Sequence, residues 1–253
     1  FMAATLKTPP TSVPVIKARI LLVDDHPMLR SGLRRLLDQQ PDMLCCGEAG
    51  SVPEGQNAVA RLKPDLVILD LMLKGGDGLE LAKALSSSVP GLRILILSQF
   101  EGPLYIERAL RAGALGYVVK DQAAEELLTA IRAVMAGEVY LTRAMAARLL
   151  HTFVGTTPGA PRAGIAQLTD RELQVLQLLG AGLSTREIAA ELNLSFKTVE
   201  THRENIKRKL SLRGAAELLH YANRWAREQV WMPSTMLQEA VQEFPVQTHM
   251  TAQ

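Results

Sequence analysis

The sequence predicts an α/β chain. A doubly wound, five-stranded parallel sheet comes first, and a small all-helical domain follows it. Three observations carry this. Short apolar runs alternate with helical patterns over residues 19–140. A stretch rich in Gly, Pro and Thr interrupts the chain near residue 155. Beyond it, helix starts follow one another with no strand pattern between them. Composition agrees, since 253 residues suit one large or two ordinary domains. Apolar residues make up 47% and charged residues 21%, which fills a core and excludes wholesale disorder. Aromatics are only 4%, and the dominance of Leu and Ala favours helix over an all-β sandwich.

The apolar runs are Arg19–Asp24, Met43–Cys46, Leu66–Asp70, Arg93–Ser98 and Leu115–Val119. Between them, sets such as Met28, Leu29, Leu33, Leu36, Leu37 and Leu127, Leu128, Ile131, Val134, Met135 fall at helical spacing. Parallel strands need crossover connections, so the alternation reads as a doubly wound sheet. The third and fourth runs are apolar almost throughout, as strands covered on both faces are. The second domain has two S/T-x-x-E capping boxes, Thr169 with Glu172 and Ser184 with Glu187. Ser195 is the third helix start. Gly182 and Asn193 are the stops, because both tolerate the left-handed backbone that ends helices.

The boundaries read as an N-terminal extension (1–18), a sheet domain (19–138), a linker with a helical first part (139–166), a helical domain (167–227) and a tail (228–253). The tail has a possible short helix near 234–244. Cys45 and Cys46 are the only cysteines. Neighbours on a strand point to opposite faces, so no disulfide joins them, and a reducing compartment is expected. No run reaches the ~18 apolar residues of a membrane helix, and residues 1–18 lack a signal-peptide core. The net charge of +2 conceals an uneven distribution. Residues 195–213 hold 6 basic and 2 acidic side chains, the density of a phosphate-facing surface.

Asp24 and Asp25 end the first run, Asp70 the third and Ser98 the fourth, and Lys120 follows the fifth. A lone Asp at a strand end is usually a turn or cap residue. Five polar residues at the carboxyl ends of apolar strands are better read as a ligand site at the switch point of the sheet. Three converging carboxylates repel one another unless a cation joins them. Mg²⁺ suits such oxygen ligands and a site that accepts a phosphoryl group. A carboxylate can itself form an acyl phosphate, with Lys120 and Ser98 meeting the phosphoryl oxygens. His26 reads as a helix start beside Pro27 rather than as a ligand.

Val23-Asp24-Asp25-His26-Pro27, Leu69-Asp70-Leu71-Met72, Ser98 and Gly116-Tyr117-Val118-Val119-Lys120-Asp121 resemble the receiver domain of bacterial two-component response regulators, over about residues 19–138. The resemblance implies a CheY-like fold, with strand order 2-1-3-4-5, and Asp70 as phosphoacceptor. It implies Mg²⁺ on Asp24, Asp25, Asp70 and the Met72 carbonyl, and Ser98 with Tyr117 as a switch pair. It also implies a sensor histidine kinase as partner and a cytoplasmic setting.

Thr185–Leu192, the short turn Asn193-Leu194 and the basic helix 195–210 have the layout of a helix-turn-helix. Val199, Ile206 and Leu210 form its apolar stripe. Lys197, Glu200, Thr201, Arg203, Glu204, Lys207 and Arg208 form the opposite face. A bundle with a solvated basic face is the rival reading. Leu168-Thr-Asp-Arg-Glu, Gly182-Leu-Ser-Thr-Arg-Glu-Ile-Ala and Lys197-Thr-Val-Glu-Thr-His-Arg-Glu-Asn-Ile resemble the LuxR-type output domain of the NarL/FixJ family, over about residues 167–226. The resemblance implies that Glu200, Thr201 and Glu204 face the DNA groove. Lys197, Thr198, His202, Arg203 and Lys207 approach the backbone, and Arg208 adds charge. Leu218, Leu219 and Tyr221 become dimer candidates, with core packing as the rival for each.

The whole chain then reads as a phosphorylation-controlled, homodimeric regulator of transcription, with promoter DNA and RNA polymerase as further partners. Two rivals are an interaction module or phosphate sink without DNA binding, and an aspartyl phosphohydrolase. Met72 counts against the second, since such enzymes place another Asp there.

Overall fold

A computed structural model describes residues 17–73, 76–122, 124–154 and 162–229. The N-terminal extension up to residue 16, most of the expected Gly/Pro linker and the tail helix near 234–244 lie outside the described residues. The chain divides into two compact units. One is Phe1–Gln99 with Ala109–Thr142, and the other is Phe100–Arg108 with Arg143–Gln253.

From Ala18 to Met135 the chain runs β1 (Ala18–Val23), α1 (Pro27–Asp38), β2 (Met43–Ala49), α2 (Val52–Leu62), β3 (Leu66–Leu69), a small hairpin β4 (Met72–Leu73) and β5 (Gly76–Asp77), α3 (Gly78–Ser88), β6 (Arg93–Ser98), α4 (Pro103–Arg111), β7 (Gly116–Val119) and α5 (Ala124–Met135). Five parallel strands pair in the order β2-β1-β3-β6-β7, which is the order expected from the sequence. β3 is buried along its whole length, because crossover helices cover both faces. On one face Ile20, Leu22, Ile68, Leu95 and Leu97 pack with Leu37 of α1 and with Leu127, Ile131 and Val134 of α5. β2 runs three residues past the expected Cys46. The register with β1 shifts there, where Ile20 pairs with Cys45 and Leu21 with Gly47. Both cysteines are free thiols.

The second unit holds α6 (Arg143–Val154), α7 (Arg162–Ala166), α8 (Asp170–Gly180), α9 (Thr185–Glu191), α10 (Phe196–Lys209) and α11 (Ala215–Gln229). Both capping boxes form as the spacing predicts. Gly182 (φ +88°) and Asn193 (φ +50°) adopt the left-handed conformation after α8 and α9, and Ser211 (φ +56°) does the same after α10. Buried Leu218, Ala222 and Trp225 form the inner stripe of α11, which packs on α8. The helices touch closely at Gly180, where a Cβ would lie 2.5 Å from the Ala222 carbonyl oxygen and 2.7 Å from Ala226 Cβ. Phe100–Arg108 clusters with this unit. There Arg108 ion-pairs with Asp170 and donates to the Leu168 carbonyl oxygen at 2.8 Å, and the Tyr105 hydroxyl donates to that of Leu173 at 3.2 Å.

Candidate functional site

The parallel order sets the carboxyl ends of β1 and β3 side by side, so Asp24 and Asp70 come from adjacent strands. Both are buried. Lys120 reaches between them, with Nζ 2.8 Å from Asp24 Oδ2 and 2.7 Å from Asp70 Oδ2. The other oxygen of Asp70 accepts from the Met72 backbone N–H at 3.2 Å. Burial pushes the Asp70 carboxyl up to about 6; Lys120 opposes the rise and Asp24 adds to it. Burial acts downward on Lys120, but Asp70 and Asp24 outweigh it and hold the ammonium above its usual range.

The acid set suits a divalent ion. Asp24, Asp25, His26 and Asp70 each offer a ligand atom within 4.8 Å of the others. Asp24 Oδ2 and Asp25 Oδ1 are buried and accept no well-formed hydrogen bond, although Lys120 and His26 lie 2.8 Å away. Buried carboxylate oxygens left in this condition suit a cation. Ser98 is fully buried at the end of β6, and Tyr117 is fully buried in β7. His26 caps α1 as expected, but its side chain makes no capping bond and instead meets the two acids.

Gly78 was not legible as a site residue. It opens α3 against the Asp70 strand end. A Cβ there would collide with the Asp70 carbonyl oxygen and lie 2.7 Å from Leu71 Cα. A Gly behind Gly76-Asp77 reads locally as ordinary loop, so nothing nearby in sequence marks it.

In the second unit, Ser195 caps α10, accepting from the Thr198 N–H at 3.0 Å. Val199 and Ile206 are buried, as the stripe predicts. Lys197, Thr201, Glu204 and Arg208 are exposed. Glu204 pairs with Lys207 at 2.7 Å, and Arg208 donates to Asn205 at 3.0 Å. The Glu200 side chain is 41% exposed and also bonds within the domain. Its Oε1 accepts from the hydroxyl of buried Thr185 and from Arg203, each at 3.0 Å, and Arg203 also donates to Thr185. The carboxylate therefore ties α10 back to α9. His202 is half-buried, and its neighbouring charges are Glu172, Arg171 and Lys209; burial lowers its pKa. Leu218 is fully buried, so core packing replaces its expected role at a dimer surface, while Leu219 is exposed and Tyr221 half-buried. Glu172 and Lys209, 2.6 Å apart, link α8 to the end of α10, a pair the sequence did not reveal.

An aspartate pocket at the switch point of a doubly wound sheet, joined in one chain to a helix-turn-helix, is the build of a response regulator. Two family descriptions match accordingly: response regulator receiver domain over residues 20–132, and bacterial regulatory proteins of the luxR family over residues 166–222. The chain is 36% identical to the transcriptional regulatory protein LiaR of Bacillus subtilis, over 81% of this chain and 97% of LiaR. It is 34% identical to the oxygen regulatory protein NreC of Staphylococcus epidermidis, over 81% and 96%. Among solved structures it resembles RcsB of Salmonella enterica serovar Typhimurium, bound to promoter rprA with the phosphomimetic BeF₃⁻. That match has TM-score 0.55 and 27% identity, and covers 82% of this chain and 98% of RcsB. The chain belongs to the LuxR-type family of two-component response regulators. Among the described residues, no helix is long and apolar enough to cross a membrane.

Proposed function

We propose that Asp70 accepts a phosphoryl group from a sensor histidine kinase, and that this controls homodimerisation and the binding of α10 to promoter DNA. The observation that carries the reading is the Asp24–Lys120–Asp70 bridge. It holds a buried carboxylate at an open strand end. An Asp70 oxygen attacks phosphorus as the bond to the kinase imidazole breaks, giving an acyl phosphate and a free imidazole. Lys120 turns its charge from the carboxylate to the phosphoryl oxygens, and the Ser98 hydroxyl donates to another of them. Asp24, Asp25, Asp70 and the Met72 carbonyl are the residues to hold Mg²⁺, which when bound neutralises charge on the acids and the incoming group. Gly78 keeps the backbone beside Asp70 clear.

The added charge favours a second state of the domain, in which Tyr117 and Ser98 form the switch pair. Exposed Lys197, Thr201 and Arg208 begin the DNA surface, with phosphate contacts supplying most of the affinity. RcsB, solved on promoter DNA and as two dimers on two parallel DNAs, supports a dimeric DNA-bound form. Leu219 and Tyr221 of α11 are the remaining dimer candidates. RNA polymerase is the partner through which such a regulator acts, and the cytoplasm is its compartment.

The test is the intact mass after incubation with a small acyl phosphate and Mg²⁺, beside Asp70→Asn. One phosphoryl adduct, lost in the variant, is expected, together with a DNA shift that strengthens on phosphorylation and weakens with salt. An adduct that persists in Asp70→Asn overturns the assignment.

A further inference from the structure

α11 buries Leu218, Ala222 and Trp225 and turns its opposite face outward. That face is both apolar and basic. Leu219 is 41% exposed, and Leu212, Ala216 and Tyr221 line an open cleft of about 410 Å³. His220 and Arg224 border this cleft. With Asn223 and Arg227 they also line a second one toward the end of the helix. The Arg224 guanidinium lies over the Tyr221 ring, 5.4 Å from its centroid, so charge and apolar area share one surface.

The chain continues past this helix, and residues 230–253 lie outside the described residues. The luxR-family match ends at residue 222, so this tail is an addition to the shared domain. Its sequence complements the face of α11 in pattern, charge and length. Met236, Leu237, Ala240, Val241 and Phe244 fall on one helical stripe. Glu239 and Glu243, one turn apart, flank that stripe, and residues 230–253 contain no Lys or Arg. A helix over 234–244 is about 16 Å long, close to the span of the outer face from Ala216 to Arg227. α11 ends at Gln229, and 230–233 is a connection of the length that joins antiparallel helices. Counted back from that turn, Glu239 falls beside Arg224, Glu243 beside His220 and Phe244 beside Leu219. The short tether gives the tail an effective concentration of ~mM at this face, which an untethered partner rarely reaches.

We propose that residues 234–244 fold back on α11 as an acidic amphipathic helix and cover Leu219, Tyr221 and the basic cleft. The covered face is closed to a second copy of the chain until the tail leaves. The docking stands on the match of the two segments; its effect on self-association rests on the proposed dimer role of Leu219 and Tyr221.

The test is disulfide trapping in the full chain. Asn223→Cys with Ala240→Cys is oxidised, and peptide mass mapping locates the bond and separates it from Cys45 and Cys46. The expected result is a cross-link within one chain, at a yield independent of protein concentration. Asn223→Cys with Gln242→Cys, on the other side of the tail stripe, is the control and traps poorly. Adding Glu239→Lys/Glu243→Lys lowers the yield of the first pair severalfold, and Arg224→Glu/Arg227→Glu on top of it restores the yield. Sedimentation without oxidant reads the consequence. If the face is covered about nine-tenths of the time, Glu239→Lys/Glu243→Lys tightens self-association about tenfold. A cross-link between two chains, or equal trapping with Gln242→Cys, overturns the docking. Trapping within one chain with unchanged self-association upholds the docking and overturns the dimer role of α11.

Discussion

Lys120 Nζ stands 2.7 Å from Asp70 Oδ2, and the same ammonium is 2.8 Å from Asp24 Oδ2. One cation thus holds two carboxylates from neighbouring strands, and burial still keeps the Asp70 carboxyl near 6. That arrangement favours chemistry over stability, because an ionised Asp70 is costly where it sits.

The cost has a pH signature in metal-free protein. The folded pKa of Asp70 lies above its unfolded value, so its contribution is fully present below about pH 4 and is lost as pH rises through about 6. By pH 7 the loss amounts to about 3 kcal/mol. In EDTA, the stability difference between Asp70→Asn and the unaltered chain should therefore grow in favour of Asn from pH 4 to 7. Amide exchange in β1 and β3 checks it. A difference independent of pH would sink the idea.

Gly78→Ala places a methyl against the Asp70 and Leu71 backbone. Either the strand end or α3 must move, at about 1–3 kcal/mol. Because the moving backbone carries Asp70, phosphorylation by a small donor should fall at least in step with stability. Gly32→Ala, inside α1 where a Cβ meets nothing within 4 Å, is the control: it should raise stability by up to about 1 kcal/mol and leave phosphorylation unchanged. Equal rates in both variants would refute a positioning role for Gly78.

Glu172 is buried, accepts from Lys209 at 2.6 Å, and completes the capping box of α8. Burial pushes its carboxyl up, but Lys209 and Thr169 more than offset this and hold it below the usual range. Glu172→Ala leaves Lys209 and a helix-end N–H without their partner, at about 3 kcal/mol. Trp225 is buried in the second unit, so its fluorescence in urea reports that unit's unfolding. An unshifted midpoint would mean the pair contributes nothing.

Lys197 and His202 should separate in a salt titration of DNA binding. Lys197 is exposed on the first turn of α10, whereas His202 is half-buried. If Lys197 neutralises one phosphate, Lys197→Ala reduces the slope of log affinity against log salt by about 0.9, and His202→Ala leaves it unchanged. Anisotropy of a labelled operator between low and moderate salt measures both. Identical slopes for all three proteins would remove Lys197 from the phosphate-binding set.

Features whose signals are local were legible in the chain alone. Apolar period and run length determined the strands and most helices, and the alternation of the two determined a parallel sheet. Thr169 with Glu172, and Ser184 with Glu187, are three residues apart, so their caps were legible as pairs. Gly182 and Asn193 announced their turns through their own backbone freedom. Asp24, Asp25, Asp70, Ser98 and Lys120 were legible because strand ends in such a sheet converge on one edge. Which polar atoms meet across elements depended on how the elements pack. Glu200 meets the Thr185 hydroxyl, fifteen residues earlier, because α9 packs beside the start of α10. Leu218 went to the core because α11 packs that stripe on α8, a choice its helical spacing leaves open. Gly78 matters only because α3 starts against the Asp70 backbone, and His26 faces the acids only because its own N–H pins the turn to Asp24. Short-range periodicity and capping carry no information about such encounters, since they depend on how distant segments of chain are packed together.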